Sequence, residues 1–125
     1  MFSGVPLLIL VFSTLNIAYM YFTQYSLYDG FVPEPSIVKL FMAYCAWALM
    51  SVAVKKLIVE RKDFGFKSVL LHGPILGFLI YFCINVSIMA IDDEWSLSMA
   101  LSDVLWGSSL FGAVTLFAFM FKKYI

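Results

Sequence analysis

Asp103 is a carboxylic acid inside a long apolar run, and Asn16 and Asn85 are carboxamides inside two others. Such groups are costly in hydrocarbon, so they mark ion or proton paths, ligand pockets or hydrogen bonds between helices. At a helical rise of about 1.5 Å per residue, Asn16 and Asn85 fall roughly 9 Å, and Asp103 roughly 12 Å, from one common end of their runs. The spacing predicts a shared layer, with Asp103 facing the interior within reach of Asn85, Asn16 or a backbone carbonyl. Two uses of that layer are open. It can be a polar pocket or pathway centred on Asp103, or interhelical glue worth about 0.6 kcal/mol per hydrogen bond. In the second case a protonated Asp103 could donate to Asn85 with no chemistry following.

Other reactive residue types do not converge on this layer. His72 lies 13 positions before Asn85 in the same run, roughly 20 Å along a helix, and reads as an interfacial or core hydrogen bonder. Cys45 and Cys83 stand alone in apolar runs and read as small buried hydrophobes. Nucleophile, base and orienting group are not found together. No glycine-rich phosphate loop or metal-ligand spacing occurs, so no catalytic residue, metal or cofactor is expected, and the chain reads as non-enzymatic. Asn85-Val86-Ser87 matches a glycosylation sequon, but its depth predicts that it is unused.

The elements that must hold these residues follow from composition. The 125 residues are 63% hydrophobic and 13% charged; soluble domains are about a quarter charged. Four runs, 5–22, 37–54, 68–91 and 95–121, approach or exceed the roughly 20 residues that cross a bilayer as a helix. They are continuous rather than alternating, which argues against strands. The expected fold is therefore all-α, a single-domain four-helix transmembrane bundle over 1–125. Asp29-Gly30 and Pro33-Glu34-Pro35 punctuate the first loop, residues 55–67 form a charged surface loop, and Asp92-Asp93-Glu94 makes a tight turn. The first run lacks a basic leader and a clear cleavage site, so it reads as a retained helix. Gly73 and Gly77, and likewise Ser108 and Gly112, are small residues spaced for close helix packing. Trp106 and Gly107 extend that packing face, and Pro74 predicts a kink unless it falls in the first turn.

Charge is zero overall but segregated. Lys55, Lys56, Arg61, Lys62, Lys67, Lys122 and Lys123 fall at one end of the runs, while Asp29, Glu34, Asp92, Asp93 and Glu94 fall at the other, where Lys39 is the exception near a helix end. The positive-inside rule puts both termini on the cytoplasmic or equivalent side. Tyr25, Tyr28 and Trp95 fit an outer aromatic belt and Tyr124 an inner one. Without net basic charge, nucleic acid is not an expected partner; the lipid bilayer is.

The stretch Gly77-Phe78-Leu79-Ile80-Tyr81, then Ile84-Asn85-Val86-Ser87-Ile88-Met89-Ala90, Trp95 and Asp103-Val104-Leu105-Trp106-Gly107 resembles a family of small bacterial and viral predicted membrane proteins, a domain of unknown function. Its pattern is Gly-x-x-x-Tyr, Tyr-Asp-x-Thr-Asn-x-Ala, a Trp near the turn, and Asp-x-x-Trp-Gly. Here Asn85 stands for the family aspartate and Ile88 for its asparagine, so a charged pocket in the family would be largely neutral in this chain. The resemblance implies the four-helix layout and the importance of Asp103, and it implies no activity. Asn16-x-x-Tyr19 echoes Asp103-x-x-Trp106, which hints at a two-helix repeat.

These features lead to a small structural or accessory subunit of a larger membrane assembly, such as a virion inner membrane or a multi-subunit membrane complex, partnered by other subunits or by itself. The competing expectation is an oligomeric transporter of ions, protons or small solutes using the polar layer. The charge segregation predicts that Cys placed at Ser26 and at Phe64 is labelled from opposite sides of the membrane. Labelling of both from one side would refute the four-span arrangement.

Overall fold

The computed structural model describes residues 4–23 and 36–124. They form four long helices: α1 Val5–Thr23, α2 Ile37–Val54, α3 Phe66–Ile91 and α4 Leu97–Met120. No strand occurs among them. All four are long and apolar enough to span a bilayer, and each closes its backbone hydrogen bonds internally, as hydrocarbon requires. The expected all-α bundle is thus the observed one. Tyr25, Tyr28, Asp29 and Glu34 lie outside the described residues.

Helix ends are set by side chains. Ser36 accepts from the Lys39 amide at the start of α2, and Ser96 accepts from the Met99 amide at the start of α4, both at 3.1 Å. Each satisfies one of the orphan N–H groups of a first turn. The Ser96 cap leaves Trp95 in the α3–α4 turn, two residues short of α4, where the sequence suggests helix. In the same turn Asp92 Oδ1 accepts from the Glu94 amide at 2.9 Å.

The segment expected as a loop over 55–67 is shorter than that. The chain continues from α2 as a π-helical stretch, Lys55–Val59, and α3 begins at Phe66. Ser51, Val54 and Ile58 are all buried, so one inward-facing stripe runs through the boundary, and the lysines beside it do not end the helix. In the remaining turn Arg61 donates to both carboxylate oxygens of Asp63 at 2.9 and 3.1 Å. The guanidinium holds this carboxyl below its ordinary range.

The closest packing is between α3 and α4. On α3 the inward stripe is Gly73, Gly77, Tyr81 and Asn85; on α4 it is Asp103, Gly107, Phe111 and Thr115. Both repeat every four residues, the spacing that stacks side chains on one helix face. A Cβ on Gly77 would overlap the Gly107 carbonyl oxygen and lie 2.8 Å from Phe111 Cβ. One on Gly107 would overlap the Tyr81 ring, and one on Gly73 would lie 2.8 Å from Thr115 Oγ1. Gly112 faces the Pro74 ring, and Ser108 Oγ donates to the Pro74 carbonyl at 2.9 Å. Pro74 sits well inside α3, past its first turn.

α1 packs on α2 and on α4. Its Leu8 and Phe12 are fully buried, and Phe12 meets Phe111 edge-on with centroids 5.0 Å apart. Other hydroxyls in the spans bond back to their own helix, as Ser51 does to the Trp47 carbonyl at 2.8 Å and Thr115 to that of Phe111. Cys45 and Cys83 are both exposed on the outer surface, contrary to their reading as buried hydrophobes. A thiol is apolar enough to face lipid, so an apolar run does not say which way it points.

Gly77→Ala and Gly107→Ala each force a Cβ into the neighbouring helix, and each should destabilise the bundle by about 1–3 kcal/mol. Gly65, whose Cβ would meet nothing nearer than 4.0 Å, should accept Ala within about 0.5 kcal/mol. Reversible unfolding of the three variants in mixed detergent micelles measures this; equal stability for all three would show that the glycine seam is not a tight contact.

Candidate functional site: a polar layer between three helices

Asn85 is the hub of the polar layer. It is 1% exposed, six residues from the end of α3, or roughly 9 Å. Its Nδ2 donates to the Tyr81 carbonyl at 2.8 Å and to Asp103 Oδ2 at 2.7 Å. Its Oδ1 accepts from the Trp95 indole Nε1 at 2.8 Å. Three elements, α3, the α3–α4 turn and α4, thus meet on one amide. The position is set by the glycine seam, because Asn85 and Asp103 are the next members of the two facing stripes.

The direction of these bonds follows from donor chemistry. An indole N–H can only donate, so Trp95 claims the Asn85 oxygen and turns the amide nitrogen toward Asp103. Asp103 therefore accepts in this bond, where a protonated carboxyl could also have donated. Its carboxyl oxygen can do so whether or not the other oxygen carries a proton. Trp95 is half-buried and tied inward, so its indole serves the bundle as well as any aromatic belt.

Asn16 is held by a different partner. Its Nδ2 donates to the Phe12 carbonyl at 2.8 Å, and its Oδ1 accepts from Trp106 Nε1 at 3.2 Å. The Trp106 ring also stacks on Tyr19, with centroids 4.1 Å apart and planes 5° from parallel. The two sequence echoes, Asn16-x-x-Tyr19 on α1 and Asp103-x-x-Trp106 on α4, therefore face each other. Residues three apart share a helix face, so α4 reaches α3 through Asp103 and α1 through Trp106. The sequence pointed to Asn85, Asn16 and Asp103 but not to their indole partners. The available signal was the need of a Trp N–H for an acceptor in an apolar setting.

Among the described residues no buried side-chain nitrogen or oxygen lacks a hydrogen-bond partner, and no group of His, Cys, Asp and Glu could hold a metal. His72 pairs with Ser68 Oγ at 3.0 Å, far down α3. Beside Asn85, a cavity of about 270 Å³ opens between α3 and α4, walled by Phe78, Phe82, Met89, Leu97 and Val104. Its accessible wall is apolar.

Asp103→Leu leaves an Asn85 N–H without its acceptor and should cost about 1–3 kcal/mol. Asp103→Asn keeps an oxygen facing that N–H and should cost less than about 1 kcal/mol. Trp95→Phe removes the donor that orients the amide and should fall between them. Micellar unfolding free energies for the three variants provide the measurement; Asp103→Leu as stable as wild type would show that Asn85 is no hub.

The chain matches the family model described as Predicted membrane protein (DUF2177), a family of unknown function, over residues 5–120. No curated protein and no solved structure matches it. Since the matched region runs from the first residue of α1 to the last of α4, the chain belongs to this family of predicted membrane proteins.

Proposed function

We propose that this multi-pass membrane protein is a small, non-enzymatic structural or accessory subunit of a larger membrane assembly. The observation that carries this reading is the closed polar layer. The amides and the indoles meet one another or the backbone, and Asp103 meets Asn85. Groups used in this way hold helices together and leave little for a substrate. The large outward apolar surface of α2 supports the same reading, with Ile37, Val38, Phe41, Met42 and Leu49 all exposed. In a bilayer that face meets either lipid or another span, and a neighbouring subunit or second copy is the partner proposed here. The basic end, which carries residues 55–67 and the end of α4, is assigned to the cytoplasmic or equivalent side by its lysines.

The alternative, an oligomeric carrier of ions, protons or small solutes through Asp103 and Asn85, needs a wetted path to a group that changes its bonding. The apolar crevice and the locked amide favour the subunit instead.

Cross-linking in native membranes, followed by mild detergent extraction and identification of the linked chains, tests the proposal. A reproducible partner or a defined homo-oligomer is expected. A monomer without partners would overturn it. In proteoliposomes the protein should give the flux of empty vesicles; flux that Asp103→Asn abolishes while the fold persists would establish the carrier instead.

A further inference from the structure

The basic end of the bundle is built around one ring. Phe119, near the end of α4, lies 6.0 Å from Phe64 and 6.3 Å from Phe66, centroid to centroid. Lys122 Nζ sits 5.5 Å over its face. Three chain segments are thereby drawn together: the turn before α3, the first turn of α3, and the exit from α4. Each brings an exposed lysine, namely Lys62 two residues before Phe64, Lys67 next to Phe66, and Lys122 itself.

The acids of this end are already committed. Glu60 pairs with Lys56 at 3.0 Å, and Asp63 is held by Arg61 through two hydrogen bonds. Lys62, Lys67 and Lys122 form no ion pair among the described residues. Lys62 and Lys122 lie just beyond the apolar stretches that end at Val59 and Met120, and Lys67 is the second residue of the one that begins at Phe66. That is the level of lipid headgroups, and the aromatic rings beneath suit the boundary between headgroup and chain.

We propose that these three lysines, carried by the segments that meet at Phe119, bind the headgroup of an anionic phospholipid. The occupant is chosen by charge complementarity and depth: the cations lack an acidic partner within the described residues, and they stand where phosphates of the surrounding bilayer are concentrated. The proposal is independent of whether the protein is a subunit or a carrier.

The full chain is reconstituted in phosphatidylcholine vesicles, and its association with spin-labelled phosphatidylglycerol is compared with that of spin-labelled phosphatidylcholine. A preference for the anionic lipid is expected, weakening as salt is raised. It should fall by up to about fivefold for each lysine replaced by Gln, and be largely gone in the Lys62→Gln, Lys67→Gln, Lys122→Gln triple variant. The matching triple replacement by Arg should keep it. Helicity by circular dichroism checks that the variants fold; if the Gln triple does not, the salt titration of the wild type decides. Equal association of the two lipids, a preference that persists in high salt, or full retention in a folded Gln triple would overturn the proposal. So would displacement of the lipid by inorganic phosphate beyond that by chloride at matched ionic strength, which would assign the cations to a soluble anion.

Discussion

The approach of the α3 and α4 backbones at Gly77 and Gly107 governs most of the other contacts in the bundle. A contact this close has no room for a Cβ, so it admits one register. That register runs along two four-residue stripes, pairing Gly73 with Thr115, Gly77 with Phe111, Tyr81 with Gly107 and Asn85 with Asp103. Dispersion between closely packed surfaces is what lipid cannot supply equally, and it drives helix association where the hydrophobic effect is absent. Slipping α3 by a turn would drive Tyr81 into a position now filled by glycine and would separate Asn85 from its acceptor. Packing and polar pairing therefore enforce the same arrangement.

Within that register, donor chemistry orders the polar layer. The two indoles are obligate donors, each bound to an asparagine oxygen, and each asparagine nitrogen then donates back to its own helix. Asn85 has a second N–H to give, and Asp103 receives it. The amides act as adapters that convert a helix carbonyl and an indole into a contact across the bundle. Asp103 is the acceptor for Asn85 across the α3–α4 seam. This accounts for a carboxyl near the core of a hydrophobic protein without requiring it to react.

The remainder of the molecule is loosely self-contained. α2 buries little within the chain, and much of its surface is aliphatic and aromatic. In water such a face would drive aggregation; in a bilayer it can meet lipid or another span. The ends differ in character. Short ion pairs, exposed lysines and an aromatic cluster collect at one end, while the acidic Asp92-Asp93-Glu94 turn occupies the other. Charge is segregated between the two ends, and glycine and amide contacts hold the bundle together.

The sequence by itself determined the class of fold, because run length and the absence of alternation leave little but helices in hydrocarbon. It also marked Asn16, Asn85 and Asp103, since polar groups at that depth stand out against apolar neighbours, and the Gly73/Gly77 and Ser108/Gly112 spacings named part of the α3–α4 seam. Tertiary structure alone decided the partners. Asn16 went to Trp106 rather than to the other two polar residues, and Trp95 turned inward to claim the Asn85 oxygen. The reason is that hydropathy is a property of one chain segment, whereas donor direction is settled between segments. The same limit explains the cysteines: an apolar run looks alike on its lipid and protein faces, so only the packed neighbours reveal that Cys45 and Cys83 point outward. Helix ends depart from the composition at 55–59 and at Trp95 because buried contacts at Ile58 and the Ser96 cap outweigh local hydropathy.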